Sequence, residues 1–226
     1  MGEGVAMRHR WFVIPLALGL AGLAGCSSDG NRREHPVLLA LDALKQRMDE
    51  HGAAPPPALT RDMIEPIQVP LYLARLESRG AQGLLFPIGE NGADVTWVTA
   101  DQITVIIRDG VMRATRGLGE DLMSASTPDS AEIAAAAGVT QREYYHIGPD
   151  EQTIRRKYTC DLHDLGAEDI VLLGQHYNAH HISESCHAPG QSFVNEYWFD
   201  AGGQMRKSVQ WVSQTVGFLE LQKLKD

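Results

Sequence analysis

The stretch "TVIIRDGVMRATR", residues 104–116, sets two runs of β-branched and aliphatic residues on either side of Asp109-Gly110. A type I′ connection needs positive φ at both central positions, and Asp-Gly tolerates it, so the stretch reads as a tight β-hairpin. The same grammar recurs from about residue 65 to the end. "IQVPLYLARLES", "ADVTWVTAD", "REYYHIG", "QTIRRKYTCDL" and "EDIVLLGQ" are further strand-like runs, and "ENGAD" at 90–94 is another turn. "SFVNEYWFDAGGQMRKSVQWVS" reads as a hairpin about Gly202-Gly203. "GFLELQKLK" alternates, with Leu219, Leu221 and Lys223 on the side expected to face the core. Period-two alternation puts successive side chains on opposite faces of a sheet. Roughly ten short strands with turn signals at this spacing predict an all-β antiparallel domain, barrel-like or a sandwich.

Two helices interrupt this pattern. In "GEDLMSASTPDSAEIAAAAGVT", residues 119–140, Thr127 is the expected N-cap and Pro128 the first helical position of a short inserted helix. Near the N-terminus, Val37, Leu41, Leu44 and Met48 fall on one helical face, and three consecutive prolines follow at 55–57 as a stiff, extended spacer. The domain organisation expected is a leader over residues 1–25, a tether with a short helix and Pro-rich spacer over 26–64, and a β-barrel-like domain over 65–226.

The leader determines the compartment. Arg8, His9 and Arg10 precede the uncharged apolar run Trp11–Leu23, which is short of the roughly 20 residues a spanning helix needs. Leu23-Ala24-Gly25-Cys26 resembles the bacterial lipobox, in which the cysteine is acylated and becomes the first mature residue. Ser27 follows where an inner-membrane retention signal usually carries Asp. The resemblance therefore implies an outer-membrane, periplasm-facing lipoprotein.

Of the three cysteines, the lipid takes Cys26. Cys160 and Cys186 are left in an oxidising compartment, where a disulfide is expected between them. The competing reading is a metal site. "HYNAHHISESCHAPG", residues 176–190, holds four histidines beside Glu184 and Cys186, with His163 upstream. The spacing matches no common zinc pattern, and adjacent His180 and His181 point to opposite faces of a strand, so no metal and no cofactor is expected. The disulfide poses a geometric problem. If 152–161, 168–174 and 178–186 were three neighbouring strands, the cysteines would lie about two strand spacings, roughly 9.6 Å, apart, beyond the reach of a bridge. Either the order there is not sequential or the last strand bends away.

Removing residues 1–25 takes away Glu3, Arg8 and Arg10 and moves the formal charge from −9 to −10. An acidic chain without a basic patch is not expected to bind nucleic acid. The carboxylates Glu120, Asp121, Glu143, Glu184 and Glu196 are the candidates for glycan-cleaving chemistry, which needs two of them across a cleft. No nucleophile elbow or metalloprotease motif accompanies them, so no catalytic residue is assigned. Trp97, Tyr144, Tyr145, Tyr197, Trp198 and Trp211 are candidate sugar platforms, although packing is the commoner use of such residues. In "NEYWFD", Tyr197 and Phe199 point one way and Trp198 the other, so one face at most is expected to meet a ligand.

"TWVTADQITVIIRDGVMRATRGLGEDL" and "FVNEYWFDAGGQMRKSVQWVSQTVGFLELQKLK" resemble the YjbF/GfcB family of bacterial lipoproteins, associated with exopolysaccharide and group 4 capsule production. The most specific parts are "TRGLGEDL" at 115–122, "YTC" at 158–160, "ESC" at 184–186 and the "NEYWFD" to "KSVQW" stretch at 195–211. The resemblance runs from about residue 67 to the end, with no counterpart expected for 35–58. It implies a lipid-anchored, barrel-like domain serving polysaccharide production or export, with no established enzymatic activity. With no catalytic set in the sequence, a role that is not enzymatic is expected, by binding polymer or a secretion partner. The alternative is an enzyme that hydrolyses or modifies envelope polysaccharide.

Replacing Cys26 with Ser is expected to leave an unprocessed or soluble precursor. Intact-mass measurement and membrane fractionation check this, and normal mature mass in the outer-membrane fraction would refute the lipid anchor.

Overall fold

The computed structural model describes residues 59–148 and 150–226. The leader, Cys26, the amphipathic stretch at 37–48 and the proline spacer lie outside the described residues.

Twelve antiparallel strands form one sheet. They are β1 (Leu71–Leu76), β2 (Ala81–Asn91), β3 (Asp94–Val98), β4 (Thr104–Arg108), β5 (Val111–Arg116) and β6 (Ser124–Ser126). Then follow β7 (Val139–Ile147), β8 (Thr153–Leu172), β9 (Gln175–Ala188), β10 (Gln191–Phe199), β11 (Met205–Ser213) and β12 (Gly217–Lys225). The hydrogen-bonded order is β5-β4-β3-β2-β1-β12-β11-β10-β9-β8-β7-β6. Every strand lies beside its sequence neighbour, except that β5 and β6 are not laddered and β1 pairs with β12. The result is a nearly closed meander, which removes most of the free edge.

Backbone and side-chain hydrogen bonds bridge the seam between β5 and β6. Thr115 N donates to the Leu122 carbonyl at 2.8 Å, Arg113 Nη1 donates to Thr127 Oγ1 at 2.5 Å, and Arg116 Nη2 donates to the Met123 carbonyl at 3.0 Å. Asp121 shapes the connecting turn by accepting from Gly117 N, Leu118 N and Thr115 Oγ1.

The Asp109-Gly110 hairpin forms as its sequence predicts, with φ of 47° and 88°. Gly110 has a second reason to be glycine. A Cβ there would lie 2.6 Å from Met205 Sδ and 2.9 Å from Met205 Cβ. The inserted helix is shorter and later than expected. Helix α2 spans Ser130–Ala134, and its N-cap is Asp129, which forms a capping box with Glu132. Glu132 accepts from the Asp129 N–H at 2.8 Å, a contact Thr127 could not have provided two residues earlier. Helix α1 (Arg61–Ile64) leads into β1, and Arg61 fastens it by donating to the Leu224 and Leu172 carbonyls.

The cysteine problem dissolves because residues 153–172 are one strand. β8 turns at Leu173-Gly174 into β9, and the register sets Cys160 directly opposite Cys186. The two form a disulfide with Cα atoms 4.0 Å apart. The long hairpin changes direction at a bulge between Asp164 and Gly166, a common device for bending a strand. Its far arm supplies Ile170, Leu172 and Ala179 to an apolar cluster with Leu71, Leu73, Leu84, Phe86, Trp198 and Leu224. Neither aromatic face of "NEYWFD", of which one at most was expected to meet a ligand, is open to solvent. Tyr197 and Phe199 pack in one cluster and Trp198 in another, so β10 is buried on both faces at its C-terminal end, while Ser192 and Val194 stay exposed on the outer face. On β12, Leu219 and Leu221 join the main core while Lys223 is half-buried and pairs with Asp226 at 3.2 Å.

Gly110→Ala is expected to lower stability by about 2 kcal/mol or more, because it combines a left-handed φ with overlap on Met205. Gly92→Ala, at φ 61° with nothing within 4 Å of the new methyl, carries only the conformational part of that penalty. Chemical denaturation of both variants checks the difference.

Candidate functional site

The residues with the most chemical potential sit in the middle of the barrel. Along β9, Ile182, Glu184 and Cys186 share one face. Ile182 belongs to one apolar cluster and Cys186 to another. The same division recurs on β10, where Tyr197 and Phe193 lie in the two clusters on either side of buried Asn195. On β11, Ser208 and Gln210 lie between Met205 and Val212. A polar layer therefore crosses the interior between two apolar ones.

At its centre Arg142 and Glu184 pair at 2.8 Å with both side chains fully buried. Arg142 Nε lies 2.9 Å from each Glu184 oxygen. Its Nη2 donates to Tyr197 Oη at 2.7 Å and its Nη1 to Tyr144 Oη at 3.3 Å. Glu184 also accepts from Thr140 Oγ1 at 3.1 Å, Asn195 Nδ2 at 3.0 Å and Tyr197 Oη at 2.8 Å. Asn195 Oδ1 accepts from the Trp211 backbone N–H at 2.8 Å. Gln210 reaches across to β5, donating to the Gly110 carbonyl and accepting from Met112 N, both at 2.9 Å. Burial pushes the Glu184 carboxyl up, but Arg142 and the Asn195 and Tyr197 hydrogen bonds outweigh it and hold it below the usual range. Burial likewise opposes the charge on Arg142, yet its partners raise it well above the ordinary arginine value. Every strong donor and acceptor in this cluster is occupied within the protein, and the pair is sealed from solvent. Its chemistry is structural.

The other carboxylates are separate and engaged locally. Glu120 accepts from Thr215 Oγ1 at 2.7 Å, and Asp121 holds the seam turn. Hydrogen bonds from Arg155 and then Tyr145 lower half-buried Glu143 to about 2. Glu196 is half-exposed, 4.0 Å from His181. Of the aromatic candidates, Trp97, Tyr144, Tyr197, Trp198 and Trp211 are buried, and Tyr145 is half-buried. Tyr144, Phe193 and Trp211 stack in the barrel, with the Phe193 and Trp211 rings 4.6 Å apart.

The histidines decorate β9 as surface pairs. His180 meets Asp164 and His181 meets Glu168, each at 2.7 Å, and His187 stands 3.9 Å from Asp161. His181 also stacks on Trp198 at 4.2 Å, pinning the far arm of the hairpin to β10. His163 and His176 are exposed. Among the described residues, the donors close enough to share a metal are Cys160, Glu184 and Cys186. The two thiols are tied up in the disulfide and Glu184 is held by Arg142, so the set does not fit a metal.

Among the described residues, two of the cavities that open to the surface are sizeable. One, of about 260 Å³, is mostly apolar and enters the barrel between β1–β2 and the β5–β6 loop. The other, of about 670 Å³, is polar and lies at the α2 end, between Arg108 and Asp109, Asp129 to Ala131, Gly202 to Gln204, and Lys223. Its two cations are already paired, Arg108 with Asp94 at 2.8 Å and Lys223 with Asp226 at 3.2 Å. Sequence reasoning missed both cavities, since each is assembled from turns and strands far apart in the chain.

Residues 41–224 match the family described as group 4 capsule polysaccharide lipoprotein gfcB, YjbF. The chain belongs to that family. The match begins at Leu41 and so extends the similarity into the 35–58 segment, for which no counterpart was expected. No curated protein matches the chain by sequence. A crystal structure described as the hypothetical lipoprotein YmcC from Escherichia coli (K12) is similar in fold. It has a TM-score of 0.66 and 17% identity, over 82% of this chain and 95% of that one. A protein from Bacteroides fragilis NCTC 9343 with a YmcC-like fold gives a TM-score of 0.37 at 8% identity, over 69% of this chain and 93% of that one. The sequence stretches that first suggested the family are the ones that build the frame. "TRGLGEDL" makes the seam turn, "YTC" and "ESC" carry the disulfide and Glu184, and the 195–211 stretch carries Asn195, Tyr197, Ser208 and Gln210.

Glu184→Gln is expected to destabilise the protein by about 3–5 kcal/mol, since it leaves Arg142 buried without its counter-ion. Replacing both, as Arg142→Met with Glu184→Leu, is expected to cost less than the sum of the single changes. Because the Glu184 carboxyl is depressed in the folded state, its contribution is present above the unfolded value of about 4.3 and is lost as pH falls through the folded one. Unfolding curves between pH 7 and pH 3 should show this loss in the wild type and a smaller one in the double variant.

Proposed function

We propose that this chain is an outer-membrane lipoprotein facing the periplasm that assists capsule or exopolysaccharide production by holding polymer at the polar cleft beside α2. Membership of the capsule lipoprotein family supports the process. One observation favours contact over catalysis: the carboxylate with the strongest electrostatic environment, Glu184, is fully buried and neutralised, while the others serve local turns and pairs. The cleft suits a polyhydroxyl chain. Its cations and carboxylates are largely balanced within the protein, so it offers hydrogen-bonding groups without a net field that would demand a charged ligand. Gly202 and Gly203 line it and leave their backbone open to a ligand. The lipid on Cys26 would place the domain at the membrane where polymer is exported.

Deleting the gene is expected to reduce exported polysaccharide without altering its repeat unit. Alanine at Glu120, Asp121, Glu143 or Glu196 should leave export near normal in each folded protein. Ala131→Trp, at an exposed position lining the cleft, should weaken polymer association and export with little change in stability. Unchanged association in Ala131→Trp would move the contact to a partner protein. Loss of export in a folded carboxylate variant, with polymer cleavage by the wild type, would establish an enzyme.

A further inference from the structure

The apolar cavity has a specific origin in the β1–β2 ladder. On the interior face, Tyr72 pairs with Leu85, Ala74 with Gly83, and Leu76 with Ala81. The middle pair is small on both strands, and Ala81 is small beside it. The cavity opens beside them, and Thr99 takes up the space over Gly83, where a Cβ would meet its Cγ2 at 3.3 Å. Protein interiors are close-packed, and apolar voids lower stability, so a solvent-connected apolar cavity is a feature to explain. Its walls change character with depth. Leu85, Val105, Leu118 and Leu219 form the inner part and are at most 3% exposed. Arg79, Gln82 and Asp101 line the cavity too and are exposed, forming its rim.

We infer that this cavity binds the alkyl chain of an amphiphile, with the polar head at the Arg79, Gln82 and Asp101 rim. Three features select that class. Sugar hydroxyls would be buried against Leu and Val without hydrogen-bond partners, which is unfavourable. The volume, about 260 Å³, is below the range of about 300–1,000 Å³ usual for drug-sized ligands. At about 30 Å³ for a water-sized group, it takes a chain of about nine methylenes. The rim offers both donors and an acceptor, so it suits a polar head of either charge or none. A small barrel interior holding one apolar ligand is a known use of this architecture. The inference is independent of the saccharide reading, since it concerns a different cavity.

The test uses the full chain in phospholipid vesicles and a ten-carbon fatty acid bearing a terminal diazirine, supplied free or esterified in phosphatidylethanolamine. After photolysis, mass spectrometry maps the adducts. Adducts at Leu85, Val105, Leu118 or Leu219 are expected, and the form that labels names the source as free fatty acid or membrane phospholipid. Ala74→Leu, which fills the small pair, is expected to reduce these adducts about tenfold, the factor for losing burial of about two methylenes. Ala81→Trp, at an exposed rim position, should do the same without touching the core, and near-UV circular dichroism confirms that each variant is folded. Adducts confined to the outer cluster at Leu71, Leu84 and Phe86, no adducts at all, or labelling indifferent to a folded plug variant would each overturn the inference.

Discussion

A buried ion pair is the constraint around which this barrel is arranged. Taking Arg142 and Glu184 out of water is costly, and the attraction between them offsets that only if the remaining donors and lone pairs are satisfied. The protein meets the condition with four neighbours, Thr140, Tyr144, Asn195 and Tyr197, drawn from β7 and β10. Each must be in register for the network to close. A one-residue slip of any of these strands would send its member of the network to the opposite face. The pair thus specifies the alignment of β7, β9 and β10 more sharply than apolar contacts, which tolerate repacking.

The same layer ties the two halves of the wall together. Asn195 takes the Trp211 backbone N–H where β10 and β11 separate, and Gln210 supplies a donor and an acceptor to β5 across the interior. The disulfide at Cys186 lies two residues from Glu184, on the same face, and locks the β8–β9 register beside it. A frame held in this way leaves no free chemical group at its centre. The cavities lie instead at the ends of the barrel, as an apolar mouth and a polar cleft.

The outer wall shows how a meander can be buried on both sides. The far arm of the β8–β9 hairpin, turned by the bulge near Gly166, packs on β1, β2, β10 and β12 and is held there by the His181 stack on Trp198 and by the Trp198 Nε1 hydrogen bond to Glu168 at 2.9 Å. This explains why "NEYWFD" has no exposed aromatic face to offer a sugar.

By itself the sequence determined the all-β class, the Asp109-Gly110 and Gly202-Gly203 turns, the inserted helix and the candidacy of Cys160 and Cys186 for a bridge. These are local properties of turn chemistry, period-two alternation and cysteine count, and each acts within a few residues or by simple parity. Only the tertiary structure decided that 153–172 is one strand, that Trp198 on the outer face of β10 is buried as well as Tyr197 and Phe199, that Glu184 is a neutralised structural group, and where cavities open. Those outcomes depend on which distant strands meet. Alternation states that a strand has two faces, but it cannot state what covers the second one. A carboxylate in a sequence looks the same in solvent as against a buried guanidinium, and the difference is made by the strand 42 residues away that brings Arg142 to Glu184.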